Sequence, residues 1–341
     1  MIRLLQAMAG ARHGGAETFF VRLAVALQRA GQDQRVLIRR DAARAAALRA
    51  GGIEPTELPF RRWLDLSTFL GFRRAVCDYR PQVVLTWMSR ATQLCPRGDF
   101  VHVARLGGYY DLKHYRRCQH LIGNTRDIRE YIVRSGWPED RAHYLPNFVP
   151  TMSAPPVERA SLGTPADAPL VLALGRLHEN KAFDVLLDAM ALVPRAHLWL
   201  AGEGPLRGAL EARARRLGVA GRVHFLGWRE DTAALLAAAD MLVCPSRREP
   251  LGNVVIEAWS AGVPVAATAS EGPAALIHEG ETGLLVPIED SAALAAAIER
   301  IAGDAALRAR LSAAGRAVHG SEFSETAVVA RYREFLERVA R

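Results

Sequence analysis

Lysine is nearly absent from this chain. Of 44 basic residues in 341, 42 are arginine and two are lysine, Lys113 and Lys181. Cysteine is scarce too. The four present (Cys77, Cys95, Cys118, Cys244) are too scattered to pair as metal ligands and suit reduced thiols, which excludes a disulfide scaffold and a zinc ribbon. No stretch approaches about 18 uninterrupted apolar residues, so no spanning helix is expected. The opening MIRLLQAMAGARHGG has too short an apolar run for a secretory signal and reads as a first strand and its loop. No repeat is visible at a period of about 20 to 50 residues, which excludes a solenoid.

What is present is ample apolar material, half of the chain, and a length that fits two domains better than one core. Charge is uneven. Residues 1–150 carry 24 Lys+Arg against 13 Asp+Glu, a net of +11, whereas the rest carry 20 against 23, a net of −3. A basic half suits nucleic acid, anionic lipid or a phosphorylated substrate, and equally plain solubility in an arginine-rich composition. No nucleic-acid-binding module is recognisable, so no nucleic-acid partner is expected.

Short apolar runs alternate with helical periods, the pattern of a parallel α/β architecture. Strands are expected at 2–10, 34–40, 81–88, 101–106 and 119–125, with a helix at 16–31 and further helices between the later strands. Residues 145–169, rich in Pro, Ser, Ala and Thr, read as a linker. The pattern then restarts with strands at 170–175, 196–202, 222–227, 239–246, 263–268 and 283–287, and helices at 181–193, 205–217, 231–238, 253–261 and 291–301. Two tandem doubly wound Rossmann-like domains facing a cleft follow, 1–155 and 165–320, with ligands expected beyond the carboxyl ends of the strands.

Three strand-to-helix loops of the second domain carry chemistry. In LGRLHENKAFDVLLDAM, Asn180 reads as a helix N-cap with Lys181 in the first turn, where a cation opposes the helix dipole unless an anion binds. Arg176 and Lys181 together suggest a diphosphate clamp. In AGEGPLR, Gly202 and Gly204 admit a flat ligand such as a nucleobase or simply turn the chain; Arg207 in place of a third glycine makes a dinucleotide fingerprint weak. In EPLGNVVIE, two glutamates stand eight positions apart around a turn and a helix start. Glu257 leans back toward the loop, because helical side chains tilt toward the N-terminus, and can accept from a ribose diol. Glu249 faces what lies beyond the phosphates, and the N–H groups of Leu251, Gly252 and Asn253 can meet oxygens. In the first domain, Gly14 and Gly15 permit close approach of a phosphate or merely turn the chain.

These loops together resemble the retaining glycosyltransferases of family 4, which have the two-domain GT-B fold. The match is carried by GGAE (14–17), LPNFV (145–149), GRLHENKAFDVLLDA (175–189), AGEGPLR (201–207), FLGWRED (225–231), PSRREPLGNVVIEAWSAGVPVAAT (245–268) and GETGLLVP (280–287). The resemblance implies a donor site for a nucleoside-diphosphate sugar in the second domain. Arg176 and Lys181 would neutralise the leaving diphosphate, Glu249 would bind the sugar and Glu257 the ribose, with Gly14, Gly15, Glu203, Leu251, Gly252 and Asn253 contributing to donor binding. It also implies retention of anomeric configuration, no metal and no cofactor beyond the co-substrate, and a final helix near 322–341 that returns to the first domain. Two departures stand out. Where many relatives place a histidine in the first domain, this chain reads VARLGGYYDLKHY, leaving Tyr109, Tyr110, His114, His13 or His102 as stand-ins; and Ala275 replaces a frequent glutamate.

The basic first domain should hold the acceptor, a glycan or a lipid-linked saccharide. PFRRWLDLSTFLGFRRAV (59–76) interleaves Phe60, Trp63, Leu66, Phe69 and Leu70 with arginines, as a helix lying on anionic lipid does, and equally as a core-facing helix with arginines outside. The resulting expectation is a cytoplasmic enzyme, peripheral on the inner face of the membrane, in bacterial envelope polysaccharide or lipopolysaccharide synthesis. The alternatives are a sugar-nucleotide-binding protein without transfer, and a sugar-nucleotide epimerase of the same fold.

Overall fold

The computed structural model describes the whole chain except residues 1, 12, 13, 62–64 and 341. It divides into two compact units, Met1–Asn147 with Glu325–Arg341, and Phe148–Ser324. Each is built on one parallel sheet.

In the first unit the strands are β1 (Leu4–Met8), β2 (Gln34–Arg39), β3 (Thr56–Leu58), β4 (Val83–Trp87), β5 (Val101–Leu106), β6 (His120–Gly123) and β7 (Ala142–Tyr144), in the spatial order β3-β2-β1-β4-β5-β6-β7. In the second they are β8 (Leu170–Leu174), β9 (His197–Ala201), β10 (Val223–Gly227), β11 (Met241–Cys244), β12 (Val265–Thr268) and β13 (Leu284–Val286), in the order β10-β9-β8-β11-β12-β13. Both sheets wind outward in two directions from their first strand. The reversal falls between β1 and β4 in one and between β8 and β11 in the other, and a parallel doubly wound sheet opens a crevice there.

The central strands of the second sheet, β8 and β11, read as unbroken apolar runs because helices cover both faces. In β8, Val171 and Ala173 join the core on one face while Leu170 and Leu172 join the core on the other. β11 divides in the same way, Met241 and Val243 against Leu242 and Cys244. Each large aliphatic side chain so buried contributes roughly 1.5–3 kcal/mol. The short strands β3 and β7 have three residues each, too few to show a period, and escaped the sequence reading, as did the helix Ala305–Val318.

Residues 145–169 are irregular but not loose. Val149 N–H donates to Phe323 O at 3.0 Å, Thr164 Oγ1 accepts from Trp199 Nε1 at 2.8 Å, and Arg159 reaches Ala238 O at 2.7 Å. The linker composition reflects an absence of strands and α-helices, with only the 3-10 turn Arg159–Leu162, rather than an absence of packing. The final helix, Glu325–Val339, packs within the first unit, where Tyr332 is fully buried and meets Arg105 of β5.

Burial at the opposite, amino end of β5 makes stability depend on pH. His102 is 5% exposed, its Nε2 lies 2.9 Å from Thr86 Oγ1, and its ring sits beside the Cys118 thiol and Phe100. Burial and then the Arg117 charge lower its pKa from 6.5 to about 4. A histidine held neutral when folded binds its proton first in the unfolded chain, so its stabilisation is complete above pH 6.5 and declines as pH falls toward 4. The loss is at most about 3 kcal/mol for this residue. Urea unfolding followed from pH 8 to pH 4 (the range in which histidines titrate, about 6.5 when unperturbed) should show that decline, and a His102→Asn variant should show a shallower one. An equally steep decline in the variant would place the effect elsewhere.

Candidate functional site

The crevice position of the second unit is occupied by the loop after β8 and the loop after β11. They meet through one ion pair, Lys181 Nζ on Glu249 Oε2, with the two side chains only 22% and 11% exposed. The sequence expectation for Lys181 needs correction. Asn180 is not an N-cap and Lys181 is not in the helix. Glu179–Lys181 form a single 3-10 turn, Ala182 takes a left-handed conformation at φ 49°, and the helix begins at Phe183. His178 accepts from Asn180 N–H instead. Lys181 therefore stands ahead of the helix, and its ammonium pairs with Glu249 across the two loops.

The loop after β11 is anchored on several sides. Arg247 makes a two-pronged pair with Asp184 at 2.9 and 2.7 Å, donates to Glu179 O at 2.8 Å, and pairs with Glu289. These hydrogen bonds, Asp184 first, raise the Arg247 pKa further above its usual value, so it is a permanent cation. Arg248 N–H donates to Asn180 O at 3.2 Å, and Gly272 N–H to Glu249 O at 2.6 Å. Composition alone gave no reason to single out Arg247; only the fold brings Asp184 and Glu289 to it. Glu249, itself 8% exposed, is fixed before any ligand arrives.

Asn253–Ala261 is helical, as read from the sequence, and Gly252 precedes it in the left-handed region at φ 67°. Its N–H is directed at Glu249 Oε1 at a long 3.4 Å, so one of the three N–H groups expected to face a ligand already leans on the glutamate. Asn253 and Glu257 are half-buried and share a face one turn apart. Leu251 is likewise half-buried at the turn. Arg176 is exposed and makes no hydrogen bond or ion pair among the described residues, a cation left available at the loop's mouth.

The glycines after β9 have a role other than admitting a nucleobase. A Cβ at Gly202 would lie 1.9 Å from Gly175 O, and one at Gly204 would lie 2.4 Å from Leu177 O. Bare backbone lets this loop pack directly on the Arg176 loop, with Gly175 N–H donating to Ala201 O and Leu177 N–H to Glu203 O, both at 3.0 Å. Glu203 is exposed and its carboxylate is held by Arg207 at 2.6 Å, so the arginine that breaks the glycine fingerprint is a partner of a candidate residue. Ser270, just after β12, is 1% exposed, and its hydroxyl lacks a hydrogen-bond partner among the described residues. A buried orphan hydroxyl next to the Glu249 anchor Gly272 was not foreseen from the sequence.

In the first unit, Gly14 and Gly15 precede and open the helix Gly15–Arg29, but only Gly15 is open. A Cβ on Gly14 would lie 2.2 Å from Glu17 Oε2, because Glu17 folds back over the loop to accept from Ala11 N–H at 2.7 Å. Gly14 thus serves the buried Glu17 carboxylate. Among the stand-ins for the missing histidine, His102 is set aside: it lies at the amino end of β5, buried, away from the strand's carboxyl end. His114 Nδ1 is engaged by Gln93 at 2.5 Å. Tyr109 is 52% exposed with its hydroxyl on Asp127, and Tyr110 is half-buried, its pKa raised by burial and then by the Glu17 carboxylate. His13 lies outside the described residues. Among the described residues no group of three or more His, Cys, Asp or Glu is arranged to hold a metal ion.

Comparison with known proteins gives the family. The family model described as Glycosyltransferase Family 4 matches residues 13–152, and that described as Glycosyl transferases group 1 matches residues 168–304. The chain is 40% identical over 334 residues to the lipopolysaccharide core biosynthesis glycosyltransferase LpsE of Rhizobium meliloti (strain 1021), covering 95% of this chain and 96% of that protein. It is 39% identical over 330 residues to LpsD of the same organism, covering 95% of each. Among solved structures, Anabaena Alr3699/HepE in complex with UDP superposes with a TM-score of 0.84 at 22% identity, over 99% of this chain and 100% of that one. The sheet pair, the loops at the β8/β11 crevice and these relatives converge: the chain belongs to the family 4 glycosyltransferases and has the GT-B fold.

Proposed function

We propose that this glycosyltransferase takes a sugar from a UDP- or GDP-linked donor and passes it, with retention and without a metal, to a glycan or lipid-linked saccharide of the bacterial envelope, as in lipopolysaccharide core synthesis. The observation that carries the donor part is the Lys181–Glu249 pair at the crevice of the second sheet. In the free protein the carboxylate holds the ammonium in place. With a donor bound, the ammonium and Arg176 face the diphosphate, whose charge grows as the sugar–phosphate bond breaks, and fixed cations in a water-poor site stabilise that growth most. Glu249 then accepts from the hydroxyls of the sugar, and Glu257, with Asn253 beside it, from the ribose diol. The UDP held by the Anabaena neighbour and the names of the Rhizobium relatives support the donor and acceptor classes. No cofactor beyond the nucleotide-sugar is required by this arrangement.

Thermal unfolding with UDP, GDP, ADP, CMP and NAD at millimolar concentration tests it. A ligand present at about 100 times its Kd stabilises the native state by about 2.7 kcal/mol, so the right nucleoside diphosphate should raise Tm plainly. Glu257→Ala should abolish most of that rise. A flat response to every nucleotide would remove the basis of the donor assignment.

The membrane part of the reading has its own support. No helix among the described residues is long and apolar enough to cross a membrane. On the helix Leu66–Tyr79, however, Leu66 and Leu70 are 70% and 58% exposed, and Arg73 and Arg74 follow them on the surface. Phe60 is instead buried and Phe69 half-buried, so the apolar stripe read from the sequence splits between core and solvent; Arg62 and Trp63 lie outside the described residues. Leucines beside arginines suit attachment to anionic lipid on the cytoplasmic face of the membrane. Sedimentation with anionic vesicles at low salt should carry the protein down, and Leu66→Asp with Leu70→Asp should leave it in the supernatant. Protein that stays soluble in the wild type would restrict the surface to a solvated role.

A further inference from the structure

The first unit carries a concavity on which the donor chemistry makes no demand. It has a volume of about 630 Å³ and lies between the segment that follows β5 and the exit of the helix Arg126–Arg134. Its walls include Tyr109, Asp111, Lys113, Arg116, Tyr131 and Trp137. Lys113 is the other of the chain's two lysines.

Two features point to what it binds. The first is a half-exposed aromatic ring. Tyr109 is 52% exposed, yet its ring is fixed: the hydroxyl is on the Asp127 carboxylate, and the Tyr131 ring meets it edge-on at 5.3 Å and 84°. Tyr131 is in turn fixed by donating to Tyr110 O at 2.9 Å. A ring held in place yet half in solvent costs little entropy to cover and offers apolar surface to the C–H face of a pyranose. The second is the charge. Asp111 caps the turn by accepting from Lys113 N–H at 2.9 Å and also pairs with Lys113 Nζ at 2.6 Å, which holds its carboxyl below the usual range. Arg116, exposed on the same wall, makes no hydrogen bond or ion pair among the described residues. Two cations against one carboxylate leave a net positive wall with an uncommitted guanidinium fork, the group best matched to phosphate.

We propose that this concavity binds a phosphorylated saccharide, with the sugar ring on Tyr109 against Trp137 and the phosphate between Arg116 and Lys113. This names the acceptor class and rests on the transfer reading, which calls for a saccharide on a surface other than the donor loops. A bare anion would use the cations and leave the aromatic face idle; a neutral sugar would do the reverse. The proposal requires both at once.

The test titrates glucose 6-phosphate, glucose and inorganic phosphate separately into the full chain with UDP held at millimolar concentration, so that phosphate does not report on the Lys181 loop. The indole N–H resonance of Trp137, assigned from Trp137→Phe, is the readout. Glucose 6-phosphate is expected to bind about tenfold more tightly than glucose or phosphate alone. Arg116→Ala should weaken it about tenfold, and Tyr109→Ala should reduce it to the affinity of phosphate, while the UDP-induced rise in Tm stays intact in both variants. Phosphate binding as tightly as glucose 6-phosphate would make this an anion site and overturn the proposal, as would equal binding by Arg116→Ala or no perturbation by any probe. A chain that responds to UDP but not to glucose 6-phosphate sinks the acceptor site and leaves the donor reading standing. The converse response keeps a sugar-phosphate site and removes its role as acceptor in transfer.

Discussion

Lys181→Ala is expected to lower transfer turnover by a factor of 10² to 10³, about 2.7–4 kcal/mol in the barrier, the usual loss when one fixed electrostatic group is removed from a developing anion. The same change should also destabilise the second unit. Glu249 is 8% exposed and its partner cation is Lys181, so truncation leaves a carboxylate nearly out of water with no counter-charge. Breaking a fully buried pair costs about 3–5 kcal/mol, and the residual exposure of both side chains brings the figure here to roughly 1–3 kcal/mol. The two effects separate in a double variant. Lys181→Ala with Glu249→Ala removes the stranded charge, so urea unfolding should show stability recovered relative to the single variants, whereas turnover should stay at or below the Lys181→Ala level. Lys181→Arg should not restore activity. The lysine stem crosses close to Gly175, where even a Cβ would sit 3.2 Å from Lys181 Cε, and a planar fork does not take the path of a compact ammonium. If Lys181→Ala turned over within about threefold of wild type, well under the loss expected for a group on the leaving diphosphate, the pair would be structural only.

How much of this site was legible before the structure depended on the distance over which each contact acts. The β8, β9 and β11 strands showed as apolar runs because both faces are buried, and the helix start at Asn253 showed because a turn and an apolar period adjoin there. Lys181 attracted attention by its rarity, yet its setting was misread. The helical period of FDVLLDAM extends backward to Lys181 with Asn180 placed as a cap, and nothing local reveals that Ala182 adopts φ 49° and breaks it. The partner of Lys181 lies 68 residues away, and Arg247 finds Asp184 and Glu289 at separations of 63 and 42. Such pairings follow from strand order, which a single sequence does not encode in any short motif. Glycines were legible as sites of close approach, but what approaches was not: at Gly202 it is the Gly175 carbonyl, and at Gly14 it is Glu17.

Arg105→Met is expected to destabilise the first unit by about 3–5 kcal/mol and to loosen the final helix before the rest unfolds. Arg105 is 2% exposed at the carboxyl half of β5, and among the described residues its hydrogen-bond partners are neutral: Tyr332 Oη at 2.9 Å and Asn147 Oδ1. The guanidinium lies over the rings of Trp87 at 4.6 Å and Phe19 at 4.8 Å. A desolvated cation over an aromatic face gains about 2 kcal/mol, so two faces and two hydrogen bonds together offset the burial of a cation that has no ion pair among the described residues. Methionine keeps much of the volume and removes the cost of the buried charge, which alone would favour the variant. Against that, it strands the Tyr332 hydroxyl and the Asn147 carbonyl oxygen, each costing about 1–3 kcal/mol, and forfeits both ring contacts. The losses are larger. Because Tyr332 belongs to Glu325–Val339, they fall on the contact that ties this helix to the sheet, and amide exchange over 325–339 should accelerate more than exchange in β4 or β5. A variant as stable as wild type would mean that the rings and hydroxyl do no more than balance the cost of the buried charge.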